Sequence, residues 1–236
     1  LIVKQGWSPV ASILATLAFA LLVGLVNGII VVYLQVDAFV ATLASGTVVG
    51  GIALAYTKGK TIYGRPPARV VPKSFTNLAR HSFLGIPQPV ILVVLVAIVL
   101  GVVLGLTPIG RRMYATGGNE RSARLTGIAT KRYVVGAFVA SGLLAGLAGV
   151  VLGSRLGTAS PSTGGSLLLP AFAGAFLGAT TVRPGRFNVA GTIIAVYTLN
   201  VAVSGLQQMG APFWFEPVFN GCALIIAVAS SSWALR

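Results

Sequence analysis

An all-α, polytopic transmembrane bundle is the fold expected of this chain, because charges are scarce, long apolar runs recur and glycines are spaced for close helix contact. Only 8% of the 236 residues are charged and 56% are hydrophobic, with a mean hydropathy of +0.91. A soluble domain carries roughly a quarter of its residues as charges to keep its surface wet. A bilayer core about 30 Å thick is crossed by about 20 apolar residues in a helix. Charge-free runs of about that length or longer occupy residues 5–36, 38–57, 82–110, 133–154, 156–182, 187–215 and 217–235. Seven spans follow. They are helices rather than barrel strands, because the runs are apolar throughout and do not alternate.

Taken in order, the first span holds Gly24, Asn27 and Gly28, and the second begins after Asp37 and holds Thr42, Ser45, Gly46, Thr47 and Gly50. The third has Gly101 and Gly105, the fourth Ser141, Gly142, Gly146, Gly149 and Gly153, and the fifth Gly174 and Gly178. The sixth carries Tyr197, Asn200 and Ser204, and the seventh the single cysteine, Cys222. Small residues four apart let helix backbones approach in lipid, where little hydrophobic drive acts between helices, so one tight bundle is expected. With one cysteine there is no internal disulfide. Soluble enzyme, secreted disulfide scaffold and disordered chain are excluded. Leu1 is not an initiator methionine, so earlier residues are expected, and no cleavable signal peptide is visible.

Seventeen basic residues against three acidic ones give +14. The bases flank the spans, which points to lipid headgroups and partner proteins rather than to nucleic acid. Two loops hold most of them: Lys58, Lys60, Arg65, Arg69, Lys73 and Arg80 in one, and Arg111, Arg112, Arg121, Arg124, Lys131 and Arg132 in the other. One span separates the loops, so they face opposite sides, and the positive-inside rule does not choose between them. An outward loop with six bases and no acid is suited either to lipid or to an acidic docking partner.

The titratable groups lie outside the span centres. Asp37 is at a span junction, His81 and Glu120 are in loops and Glu216 precedes the last span. Proton coupling needs such a group at depth, and a Ser/His protease needs a base near its serine. A paired-aspartate mechanism fails with a single Asp. Gly59, Lys60 and Thr61 end like a phosphate-binding loop, but Leu54 stands where the leading glycine belongs. The chain is therefore expected to be a non-enzymatic pathway driven by another subunit, with no metal site and no cofactor of its own. Uncharged polar residues within the spans, Asn27, Thr42, Ser45, Tyr197, Asn200 and Ser204, are the candidate solute path, since buried amides and hydroxyls in lipid need a partner or a wet cavity.

The most specific stretch is residues 107–132, TPIGRRMYATGGNERSARLTGIATKR. Gly117 and Gly118 are expected to break the preceding helix, Asn119 to cap a new one, and Gly127 to end it. Glu120 and Arg124, four apart, are placed for an intrahelical ion pair, and Leu125 with Ile128 would give an apolar side.

These residues resemble the permease subunits of ribose-type ABC sugar importers, inner-membrane components of binding-protein-dependent transport systems. The resemblance is carried by GRRMYATGGNERSARLTGI from Gly110 to Ile128 and by SGLLAGLAGV from Ser141 to Val150. Further matches are Gly24 to Val31, AFVATLAS from Ala38, TKGKTIYG before the outward loop, and RPGRFNVAGTIIAV from Arg183. It implies a family of about ten spans, with Leu1 near the third and roughly eighty residues preceding it.

It further implies a cytoplasmic loop at 108–132 whose coupling helix, 119–127 with Asn119, Glu120, Arg121, Ala123, Arg124 and Leu125, docks on a separate ATPase that holds ATP and Mg. The loop at 58–88 would face outward and receive a solute-binding protein, with Lys58, Lys60, Arg65 and Arg69 as candidate contacts. A second permease copy or paralogue and a bacterial plasma membrane complete the implied setting. Where many ribose-type permeases have Tyr-Glu-Leu entering a span, this chain has Ser166-Leu167-Leu168-Leu169-Pro170, so a distinct subgroup and an unassigned sugar are expected. A branched-chain amino-acid permease, an ion-coupled transporter and a structural membrane subunit are the alternatives.

Overall fold

The computed structural model describes residues 2–63, 71–83, 85–182, 185–212 and 214–234. Among these, six helices are long and apolar enough to cross a membrane, and the last helix contributes a shorter apolar stretch, Phe215–Ala229. The all-α polytopic class is thus met. The chain divides into two compact units rather than one tight bundle: Leu1–Leu95 with Val103–Pro161, and Val96–Val102 with Ser162–Arg236.

The first unit is built on α2 (Pro9–Tyr33) and α8 (Thr130–Leu156). Ser8 caps α2 by accepting from Ala11 N, and Pro9 occupies its first turn, where the missing N–H costs nothing. The two helices run antiparallel at very short range. A Cβ on Gly24 would fall 2.5 Å from the Phe138 carbonyl oxygen, and one on Gly142 2.5 Å from that of Ala20. Gly28 meets Val135, and Gly146 meets the Ala20 methyl. Two of the expected glycine pairs therefore face each other. By contrast, among the described residues nothing lies within 4 Å of a Cβ built on Gly46, Gly50, Gly101, Gly105, Gly149 or Gly153, so these three pairs make no close helix contact there.

At the Ser12 end of this pair, α4 (Lys73–Arg80) lies against the end of α8. Ser154, fully buried, donates from Oγ to the Phe75 carbonyl at 2.5 Å, and Arg80 Nε donates to the Arg155 carbonyl at 3.1 Å. A buried hydroxyl must be bonded, so this contact fixes both elements. A short ribbon pairs β1 (Ile62–Tyr63) with β4 (Thr158–Ala159), and β2 (Ser82–Phe83) pairs with β3 (Ile86–Pro87). The four-residue α1 (Ile2–Gln5) precedes α2.

At the Tyr33 end, α3 (Ala38–Thr57) starts on Asp37, whose Oδ1 accepts from Phe39 N and Val40 N. It ends at Lys58 and Gly59, both with positive φ, so Gly59-Lys60-Thr61 follows a helix terminus rather than joining a strand to a helix. The third apolar run yields α5 (Gln88–Leu106), shorter than its charge-free length, because the chain breaks at Thr107. Thr107 Oγ1 donates to the Val103 carbonyl at 2.6 Å and caps α6 (Pro108–Gly118). A Cβ on Gly110 would collide with the Leu104 backbone, so only glycine fits this turn. Gly117 and Gly118 lie inside α6; the helix stops one residue later, at Asn119.

The second unit contains α9 (Thr163–Ser166), α10 (Leu168–Thr181), α11 (Val189–Gln208) and α12 (Phe215–Ala234). Gly178 packs on Gly191 and Thr192, and Gly174 on Val196, so α10 and α11 form a close antiparallel hairpin. Asn188 joins them: its Oδ1 accepts from Gly191 N at 2.6 Å and its Nδ2 donates to the Gly178 carbonyl at 3.3 Å. Phe176 meets Phe172 and, edge-on, Phe187.

Gly142→Val would drive two methyls into the Ala20 backbone. Overpacking of this kind costs about 1–3 kcal/mol or more, so thermal unfolding in detergent should shift downward by several degrees. Gly46→Ala, with open space at its Cβ, should leave the midpoint unchanged or slightly raised.

Candidate functional site

The region of interest at the Tyr33 end is α7 (Glu120–Leu125) with the start of α8. Asn119 takes an extended backbone and its Oδ1 accepts from Ser122 N at 3.0 Å, satisfying a donor the helix leaves unpaired. Gly127 leaves the helix at φ +81°. Ala123 is buried, whereas Arg121 and Arg124 are exposed and Leu125 is 84% exposed. Ile128 is half-buried, so Leu125 stands out alone rather than forming an apolar side with it.

Glu120 and Arg124 do not form the expected ion pair. Glu120 Oε1 instead accepts from Thr130 Oγ1 at 3.1 Å, and Thr130 is almost fully buried at the foot of α8. A charge-assisted bond to a buried hydroxyl outweighs an exposed ion pair worth a few tenths of a kcal/mol. Helix α7 is thereby fastened to α8. Nearby, Arg112 Nη1 donates to Tyr133 Oη at 3.1 Å; that bond, aided by attraction to the phenol oxygen, moves the guanidinium pKa up from its ordinary value. Lys131 Nζ lies 5.4 Å from the Tyr33 ring centroid, a cation–π contact tying α8 to α2.

The six candidate path residues fall in separate places. Asn27 is buried in α2, and its Oδ1 has no hydrogen-bond partner. Thr42 and Ser45 share a half-exposed face of α3 and bond to their own helix, Thr42 to the Ala38 carbonyl at 2.8 Å and Ser45 to that of Thr42 at 3.1 Å. Tyr197, Asn200 and Ser204 lie on one exposed face of α11, opposite the buried line of Gly191, Ala195, Leu199 and Val203. Asn200 Nδ2 donates to the Val196 carbonyl, four residues back, so its amide bridges no helices.

Lys58 and Lys60 are exposed beyond α3, while Arg65 and Arg69 lie outside the described residues. Among the described residues no group of three or more His, Cys, Asp or Glu could hold a metal. Cys222 is exposed on α12. Sequence reasoning missed Ser12, Thr130 and Ser154, single hydroxyls whose burial only tertiary contacts create. The signal for α6 was present, since Thr107 and Pro108 form a capping pair.

Six helices long and apolar enough to cross a membrane, with a short capped helix fastened at one end of the first unit, are the architecture of a multi-pass membrane protein. The chain matches, over residues 1–228, the family described as branched-chain amino acid transport system / permease component, and it belongs to that family. It is 37% identical over 226 residues to the ribose import permease protein RbsC of Bacillus subtilis, covering 96% of this chain and 69% of that protein. The Haemophilus influenzae ribose import permease is 32% identical over 225 residues, covering 95% and 68%. The autoinducer 2 import system permease LsrC of Salmonella paratyphi B is 33% identical over 222 residues, covering 94% and 62%. No solved structure matches it significantly.

Replacing Thr130 with Val removes the donor to Glu120 while keeping side-chain size. The loss is worth about 1–3 kcal/mol for a bond to a charged group. Hydrogen exchange at the amides of Ser122 to Thr126 should quicken about tenfold or more while the α2 and α8 amides stay protected.

Proposed function

We propose that this chain is the membrane subunit of an ATP-driven importer in the bacterial inner membrane, passing a monosaccharide or related polyol. The observation that carries the reading is end-to-end placement within the first unit. Lys131 sits on Tyr33 and Ser154 binds Phe75, so α7 and the segment around Lys58 and α4 stand at opposite ends of the same antiparallel helix pair. At about 1.5 Å per residue the 27-residue α8 is about 40 Å long, enough to cross a bilayer. One end is then cytoplasmic, where α7 presents Arg121, Arg124 and Leu125 to a separate ATPase carrying ATP and Mg. The other is extracytoplasmic, where Lys58, Lys60, Arg65 and Arg69 meet an acidic face of a solute-binding protein.

The solute assignment is supported by the relatives that import ribose and by the uncharged path residues. The accessible candidates, Thr42 and Ser45 on α3 and Tyr197, Asn200 and Ser204 on α11, each present a hydroxyl or amide and no fixed charge, which suits a neutral polyhydroxy solute and gives no counter-ion for the carboxylate and ammonium of an amino acid. Two permease copies, or this chain with a paralogue, enclose the path. ATP binding by the partner subunits shifts the population between outward-open and inward-open states through α7. The chain supplies position and passage, and the partner supplies the chemistry.

With ATPase and binding protein reconstituted in proteoliposomes, Arg121→Glu together with Arg124→Glu should cut sugar uptake at least about tenfold while the permease remains folded. Uptake that persists when ATP hydrolysis is blocked would overturn the assignment. On the other face, Lys58→Glu with Lys60→Glu should weaken binding-protein association several-fold at low salt, and the difference should shrink as ionic strength rises.

A further inference from the structure

At the Ser12 end of the first unit, residues of α1, α2, α8, the ribbon and the start of α4 line a partly open cavity of about 220 Å³. Its wall is aliphatic and aromatic, with Ile13, Ile62, Val71, Phe75 and Val150 among the lining residues. Ser12 also lines it. That side chain is 5% exposed, and its Oγ is buried without a hydrogen-bond partner. A buried hydroxyl left unbonded costs about 1–3 kcal/mol, so an atom that bonds it is favoured.

The chemistry of the wall selects the class of occupant. A sugar needs a partner for nearly every carbon, whereas the lining offers hydroxyls only at Ser12, Thr16 and Thr158, and Thr16 already donates to the Ser12 carbonyl at 2.8 Å. A cluster of waters would be equally short of partners, since each needs two to four. An aliphatic chain with a single oxygen near one end fits both wall and hydroxyl. At about 30 Å³ per methylene-sized group, the volume takes about seven carbons.

Position supplies the source. Ser12 is in the first turn of α2, and the cavity reaches the last turn of α8, where Arg155 begins the polar zone. Arg80 Nη2 lies beside Gly157, another lining residue. With α2 and α8 spanning a bilayer, helix ends of this kind fall where acyl chain gives way to ester and phosphate.

We propose that the cavity holds the part of one acyl chain next to the ester of a membrane glycerophospholipid, with the Ser12 hydroxyl donating to its ester carbonyl, Arg80 at the level of its phosphate and the rest of the chain continuing into the bilayer. The lipid would complete the packing between α8 and the outer ribbon. Gly149 and Gly153 give the means to test it, because each lines the cavity and an added Cβ on either meets nothing within 4 Å.

The full-length permease, extracted from nanodiscs of palmitoyl-oleoyl phosphatidylglycerol into mild detergent, would be weighed by native mass spectrometry. Wild type should retain one phospholipid per chain under washing that strips the rest. Gly149→Leu with Gly153→Val, which fills the space, should retain at least about tenfold less, and Ser12→Ala several-fold less. Delipidated Ser12→Ala should also melt higher than delipidated wild type, because the orphan hydroxyl is gone. Equal retention by wild type and the filled variant, or no retained lipid on wild type because water or another stretch of the chain occupies the space, overturns the proposal. If the filled variant does not fold, Ser12→Ala decides alone: unchanged retention overturns it.

Discussion

Close approach of two helix backbones in a solvent that does not push them together is the constraint on which the first unit depends. Hydrocarbon competes with side chains for dispersion contacts, so α2 and α8 associate only because Gly24, Gly28, Gly142 and Gly146 remove the side chains that would hold them apart. That contact aligns the remainder. Ser154 reaches Phe75 and Lys131 reaches Tyr33 because α8 is held in one rotational setting against α2. The second unit uses the same device at Gly174, Gly178 and Gly191, reinforced by the two-sided cap of Asn188.

Polar groups show a second regularity. Most hydroxyls in the long helices return to a carbonyl three or four residues back, as Thr16, Thr42, Thr57 and Thr198 do. A helix can expose such residues to lipid or to a passing solute without leaving a donor unpaired. Among the described residues, polar contacts between elements sit at helix ends, as Ser154 with Phe75, Arg80 with Arg155, Thr130 with Glu120 and Arg112 with Tyr133 do. The interior is thus held by shape and the ends by hydrogen bonds, which leaves the ends able to be specific.

Fold class and span positions were legible because length and hydropathy are properties of contiguous sequence. The short helix at 120–125 was legible for the same reason, since Asn119 and Gly127 mark its limits locally. What the sequence concealed depends on partners distant along the chain. Nothing in the repeated glycine spacing tells Gly142, wedged on Ala20, from Gly149, which faces open space. Glu120 stands four residues before Arg124, yet its bond goes to Thr130, because a buried hydroxyl with no other acceptor outbids a wet guanidinium. The division into two units follows from long-range contacts that periodicity cannot show.

Helix α8 carries attachments at both extremities and glycines between them, and this restricts its length as much as its composition. Each residue turns a helix by about 100°, so deleting one between Gly146 and Ser154 would swing Ser154 away from Phe75 while the lower half kept its place. The Ser154–Phe75 contact at one end and the Thr130–Glu120 contact at the other therefore share a phase, set by counting residues along a single rod, and a one-residue indel there breaks what a small side chain at Gly149 or Gly153 would leave intact.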